Sequence, residues 1–343
     1  MTTGHKVGQK VEQKVGKKTE IRSSPSTGKT KVLVTGAGGA LGRRVIDRLK
    51  DRYDIVGVDF RWRKHVDPDV VHYEVDFDKR KFQDVFREHA FAGVIHLGRI
   101  GSAQLNRARR YNSNVIGTER LLQYCQQYGV RQVLILSSHY VYGANANNPA
   151  LLDESTPMKA SNLTNELVDS VELENLCNIY LYKHPELNIT ILRACNIVGP
   201  GVSNNLSKIL ASRVAPCLAG FSPMMQFIHV DDLAEAIELG YEKNLRGVYN
   251  VAPDDWIAYQ EALERAGCYR LFLPSIPPQL PRALASLLSV SLRMPFPSYL
   301  VNYFKYPVII DGSLFARSFG FRPRRTLQDI FNYYRGEKAR LAA

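Results

Sequence analysis

Residues 36–42 read GAGGALG, a spacing suited to one kind of chemistry, the holding of a dinucleotide phosphate. The glycines follow the apolar run KVLVT and open the amphipathic run RRVIDRLKD. In that setting Gly36 allows a tight turn, Gly39 lets backbone approach a pyrophosphate, and Gly42 lets a helix pack close to a strand. Ala40 and Leu41 complete the turn from which the first N–H groups of the helix point at phosphate. A second apolar run, DIVGVD, ends in Asp59, a carboxylate placed to accept both hydroxyls of an adenosine ribose, which favours NAD. Arg43, Arg61 and Arg63 lie close in sequence and can hold a 2′-phosphate, so NADP stays open as well.

Such a turn has to be held by a parallel sheet covered with helices. From Lys31 onward short apolar runs alternate with amphipathic helical stretches, the pattern of an α/β doubly wound parallel sheet, a Rossmann fold, with a smaller C-terminal substrate lobe. The expected division is a basic tail over 1–30 and a dinucleotide-binding domain over 31–200. The substrate lobe and C-terminal cap then fill 201–343, with a strand and helix returning to the sheet near 225–252. At 45% hydrophobic and 23% charged residues the chain can bury a sizeable core. No run approaches the roughly 18 apolar residues of a membrane-spanning helix, and a lysine-rich stretch stands where a signal peptide would be apolar, so a cytoplasmic location is expected. The five cysteines are scattered and odd in number, which fits neither a disulfide framework nor a metal knuckle, so no metal site is expected.

Half of the net charge of +12 sits in the first 31 residues. There KVGQKVEQKVGKK carries too little apolar surface to offset the entropy of ordering, and residues 1–30 are expected to be disordered. A basic tail can attract an acidic partner, nucleic acid or an anionic membrane; a solvated extension is the plainer reading. Its Gly28-Lys29-Thr30 looks like the end of a phosphate-binding loop, but Ser23 stands where that motif needs glycine.

Beyond the glycines, further segments carry a resemblance to the extended short-chain dehydrogenase/reductase family, the NAD-dependent nucleotide-sugar epimerases and dehydratases. VDFD resembles the family's adenine-contacting pair, here Asp76 and Phe77, and VIHLG, with His96, Leu97 and Gly98, resembles the strand end under the adenosine ribose. NVIGT resembles the helix whose asparagine, here Asn114, braces the sheet near the cofactor. RQVLILSSHYVYG puts Ser138 at the hydroxyl position that bonds the reacting sugar. ILRACNIVGPG puts Cys195 beside the nicotinamide and Arg193 and Asn196 on the substrate side. The resemblance covers residues 31 to about 252. It implies NAD as cofactor, a small-molecule ligand such as a sugar nucleotide, and a homodimer.

In that family a tyrosinate takes the proton of a sugar hydroxyl, and a lysine four residues later lowers the tyrosine pKa from its ordinary value of roughly 10. In the helical stretch SNLTNELVDSVELEN those two positions fall on Glu166 and Ser170. A Tyr-x-x-x-Lys pair occurs at Tyr334 and Lys338, far from that helix, and receives no catalytic role. The candidates for a substitute catalytic group are Ser138, His139, whose ordinary pKa suits a base, and Glu166, if burial raises it. Two readings follow: a catalytically impaired protein that holds a dinucleotide, with or without a sugar nucleotide, or an active oxidoreductase, epimerase or dehydratase with a non-standard base. The proline-rich, apolar segment 271–304 is read as core packing, as a cap over the cleft, or as a surface for lipid or a partner.

Overall fold

A computed structural model of the protein describes residues 28–61, 67, 69–77, 79–101, 106–160, 167–274 and 300–342. The basic tail up to residue 27, Arg63, Glu166 and most of the apolar segment over 271–304 lie outside the described residues.

The first six strands are β1 (Lys31–Thr35), β2 (Asp54–Asp59), β3 (Val71–Glu74), β4 (Gly93–His96), β5 (Gln132–Ser138) and β6 (Asn188–Ala194). Then come β7 (Asn196–Val198), β8 (Val214–Leu218), β9 (Met224–Met225), β10 (Phe227–His229), β11 (Gly247–Val251), β12 (Ile257–Ala258) and β13 (Tyr269–Leu273). Seven of them form one sheet in the order β11-β6-β5-β4-β1-β2-β3, every neighbouring pair parallel. A sheet buried on both faces needs near-continuous apolar strands, and VLV of β1 and IVGV of β2 supply them. Strand alternation divides the core: Val32 and Val34 pack on one face with Ala37 and Val45, while Leu33, Val56 and Val58 pack on the other with Phe77 and Phe82.

The chain leaves β1 toward β2 on one side and enters β4 on the other, so the strand order reverses between β1 and β4. That reversal opens a crevice at the carboxyl ends of these strands. The helix Ala40–Leu49 starts there and packs along the helix Val230–Lys243. An ion-pair ladder lines that contact: Arg44 bonds Asp231 at 2.5 Å, and Arg48 and Arg52 reach Glu238 and Glu242. The later residues form small two-stranded pairs, β7 with β10, β8 with β13 and β9 with β12, beside the sheet. Among the described residues no helix is long and apolar enough to cross a membrane.

Tyr334 and Lys338 lie on the helix Leu327–Ala342 and hold structure together. The Tyr334 hydroxyl donates to Ser207 Oγ at 2.9 Å and accepts the Gly199 N–H at 3.1 Å. Lys338 Nζ donates to the carbonyls of Leu210 and Ala266, each at 2.6 Å.

Candidate functional site

Gly36 adopts φ +70, and a Cβ there would lie 2.8 Å from Gly98 N, so the loop after β1 touches the end of β4 backbone to backbone. Its N–H bonds Val58 O at 2.8 Å, tying the same turn to β2. At Gly42 a Cβ would sit 2.2 Å from Gly36 O, so the helix lies directly on the turn. Gly39 is the N-cap, in extended backbone, and makes no side-chain cap bond; the first turn of the helix carries no acid. Its leading N–H groups and partial positive charge therefore remain for an anion.

Asp59 stands across the crevice at the end of β2, 7% exposed. Its Oδ2 accepts the Gly38 N–H at 3.0 Å and its Oδ1 the Arg61 N–H at 3.2 Å, which aims the carboxylate at the glycine turn. Gly36, Gly39, Ala40, Leu41, Gly42, Asp59, Leu97 and Gly98 all line one open cleft, and Arg43 and Arg61 line it too. A glycine floor, an uncapped helix and a carboxylate at the far end suit a dinucleotide.

Of the residues expected around the adenosine, Leu97 and Gly98 line the cleft, whereas Asp76, Phe77 and His96 do not. Phe77 is buried, and a Cβ on Gly98 would lie 2.4 Å from its ring, so Phe77 supports the cleft floor from below. Asp76 is not among the residues that line the cleft; its carbonyl accepts the Lys79 N–H at 3.0 Å. His96 is 3% exposed and does not line the cleft; it shares strand parity with Val94, so its ring enters the opposite face of the sheet. Thr118 donates to Asn114 O at 2.6 Å and so accepts from His96 Nε2 at 3.0 Å; the other ring nitrogen then accepts from Thr35 at 2.7 Å. Thr35 Oγ1 in turn receives the N–H groups of Leu97 and Gly98 at 3.2 and 3.1 Å. A neutral histidine thereby fixes the strand end that forms the cleft wall.

Beside the cleft is a smaller chamber, lined by Ser138, Tyr140, Cys195 and Asn196 together with Arg99, Asp169, Ser170 and Lys208. Arg99, Ile197, Ser203 and Asn204 line both spaces. Ser138 caps a short 3-10 turn, its Oγ accepting the Tyr140 N–H at 3.3 Å. Tyr140 donates to Asn196 Oδ1 at 3.2 Å, and Asn196 donates to Gln226 O at 2.9 Å. Cys195 is buried at the chamber wall, and burial raises its thiol pKa far above the ordinary value.

Arg99, Asp169 and Lys208 were not foreseen. Ser170, expected where the resemblance puts a lysine, accepts a hydrogen bond from the Arg99 guanidinium, so a cation reaches this point from the end of β4. Asp169 accepts Asn114 Nδ2 at 2.8 Å and Arg110 Nε at 3.2 Å on one oxygen; among the described residues its Oδ1 has no hydrogen-bond partner. Asn114 also pairs with both backbone groups of Ile100, at 2.8 and 2.9 Å, so it braces the end of β4 through a carboxylate of the helix Val168–Lys183. The one signal for Arg99 in the sequence is a charge three residues past the end of a central strand.

Arg193, expected on the substrate side, is placed elsewhere. It shares the parity of Ile189 and Ile191, which pack toward Leu173 and Cys177, so its side chain enters that face. There Nε bonds Glu174 Oε1 at 2.5 Å, Nη1 bonds the Tyr142 hydroxyl at 2.7 Å, and Ser137 donates to Glu174 Oε2. This is a buried brace between sheet and helix.

His139 is also buried, its Nδ1 donating to Ala194 O at 3.1 Å. Burial pushes the pKa values of His96 and His139 down to about 4, below the roughly 6.5 of an unfolded chain. Between those values the unfolded chain binds the extra protons. Stability from the neutral rings is thus complete above pH 6.5, is lost as pH falls toward 4 and is constant below. On the order of 3 kcal/mol for each ring is involved. The urea midpoint is expected to fall steeply over that window, and a His96→Gln, His139→Gln variant to show a shallower fall.

Residues 32–252 match the NAD dependent epimerase/dehydratase family. An uncharacterized protein of Mycobacterium tuberculosis, Rv0501, is 27% identical over 225 residues, covering 65% of this chain. The chain spans only 59% of that relative's length. UDP-glucose 4-epimerase of Bacillus subtilis is 27% identical over 64% of this chain and 74% of its own. Among solved structures, UDP-glucose 4-epimerase of Thermus thermophilus in complex with NAD superposes with a TM-score of 0.72 at 19% identity, over 90% of this chain and 99% of that one, a likeness of fold.

Proposed function

The chain belongs to the NAD-dependent epimerase/dehydratase family, and from that premise we propose that it holds NAD in the β1–β4 cleft and a small-molecule ligand in the adjoining chamber, without the family's tyrosine–lysine chemistry. The observation that carries this is the convergence of the glycine turn, the uncapped helix and Asp59 on one cleft. The pyrophosphate lies at the helix N-terminus and the adenosine ribose on Asp59. Bound NAD would supply a hydride acceptor; the chain's part is to bind and orient. The neighbours named as UDP-glucose 4-epimerases make sugar nucleotides the first ligands to test, and Arg99 and Lys208 give the chamber cations for a phosphate.

Titration calorimetry with NAD and NADP tests the cleft. Asp59→Asn removes a charged acceptor and is expected to weaken NAD about 10- to 100-fold while narrowing the preference over NADP. Equal NAD binding by wild type and variant would overturn the placement.

The second reading is an active oxidoreductase or epimerase with another base, favoured by the shared walls of chamber and cleft. The assay is formation of bound reduced cofactor from NAD with a panel of sugar nucleotides. Reduction lost in His139→Asn or Glu166→Gln supports this reading; no reduction with any ligand leaves the binding function.

A further inference from the structure

Asp169 walls the chamber from the first turn of the helix Val168–Lys183, and its carboxylate is used unequally. Arg110 Nε, from the helix Arg107–Tyr111, and Asn114 Nδ2, from the helical turn Asn112–Ile116, both donate to Oδ2, at 3.2 and 2.8 Å. Oδ1 is shut off from bulk water and, among the described residues, has no hydrogen-bond partner. The whole set is buried: Arg110 is 5% exposed, Asn114 0% and Asp169 4%. A buried carboxylate oxygen without a donor is unfavourable, so the geometry calls for one.

The surrounding charges say which kind. Asp169 is already paired with the Arg110 guanidinium, and the N-terminal end of its helix also favours negative charge, so the carboxylate needs no second cation. An ionised carboxylate only accepts. Arg99 and Lys208 line the same chamber, and an ammonium brought there would meet like charge. A neutral hydroxyl donates without that repulsion. The chamber has about 250 Å3 of room, far more than the roughly 15 Å3 that seats one water, so there is space for the donor to belong to a ligand.

We infer that Asp169 selects the chamber's ligand by accepting one of its hydroxyls on Oδ1. The ligand is then hydroxylated at that end, and a molecule with an ammonium, a methyl ether or hydrogen in place of the hydroxyl is rejected. This rests on the reading of the chamber as a ligand site and adds the residue that discriminates among ligands.

The test is calorimetric titration of UDP-glucose and its 2-, 3-, 4- and 6-deoxy analogues into the full-length protein saturated with NAD. One deoxy analogue is expected to bind about 10- to 100-fold more weakly than UDP-glucose, the worth of one hydrogen bond to a charged group. In Asp169→Asn an oxygen still accepts from Arg110 and Asn114, but the atom left for the ligand becomes an NH2 donor. UDP-glucose is expected to lose most of its advantage over that one analogue in the variant, whereas a merely structural Asp169 would weaken both alike and preserve the ratio. The double variant Arg110→Gln, Asp169→Asn, which strands no charge, gives the same comparison if the single variant does not fold. Equal affinity for all five ligands, or a ratio unchanged in the variants, overturns the inference and leaves the chamber a ligand site. Binding of none of the five, with NAD still bound, overturns the chamber reading and the inference together.

Discussion

Gly36→Ala is expected to abolish measurable dinucleotide binding, while Gly129→Ala leaves it unchanged. The two glycines share a left-handed backbone, φ +70 and +71, and so share the strain of about 1–2 kcal/mol that a Cβ brings there. They differ in surroundings. A Cβ at Gly129 meets nothing within 4 Å, whereas one at Gly36 meets Gly98 N and Cα at 2.8 and 2.9 Å. Those neighbours are backbone and cannot rotate aside, so the turn or the end of β4 must move, at a further cost of about 1–3 kcal/mol. Both are walls of the cleft. Calorimetry should show NAD affinity down at least a hundredfold for Gly36→Ala, with the thermal midpoint falling further than for Gly129→Ala. Equal effects from the two substitutions would mean that the β1–β4 contact does not shape the cleft.

The largest loss of stability is expected from Arg193→Met. It leaves Glu174, which is 0% exposed, without the guanidinium that bonds it at 2.5 Å. Removing one member of a buried pair typically costs about 3–5 kcal/mol, because the remaining charge is stranded. Tyr142 loses a partner as well. The urea midpoint should drop by the corresponding amount, and the double variant Arg193→Met, Glu174→Leu should recover much of it. NAD affinity of the folded fraction should match wild type, since Arg193 does not line the cleft or the chamber. A weakened affinity would return Arg193 to the ligand site.

What could be read from sequence was whatever a few consecutive residues decide. The strand, turn and helix around Gly36 and the end of β2 at Asp59 are local patterns, and the turn they predict is the one that forms the cleft. His96 and Arg193 resisted because a motif says which strand end a residue occupies, not which face it enters; parity with Val94 in one case and with Ile189 and Ile191 in the other settles that. The Arg99–Ser170 contact joins residues far apart in sequence and has no local signature.

The hydrogen bond from Gly199 to Tyr334 has a consequence for the order in which a ribosome finishes this molecule. Gly199 holds φ +119 in the turn just ahead of Gly201–Asn204, which form one edge of the cleft, and its partner is made 135 residues later. The glycine turn and Asp59 emerge early, but the sheet lacks its edge strand until Val251 is out, and this rim lacks its bond to Tyr334 until that residue follows. Domains generally fold as units from the N-terminal side during synthesis. A nascent chain is therefore expected to display the phosphate-binding turn before this rim of the cleft is complete, with cofactor capture following once residue 334 has emerged.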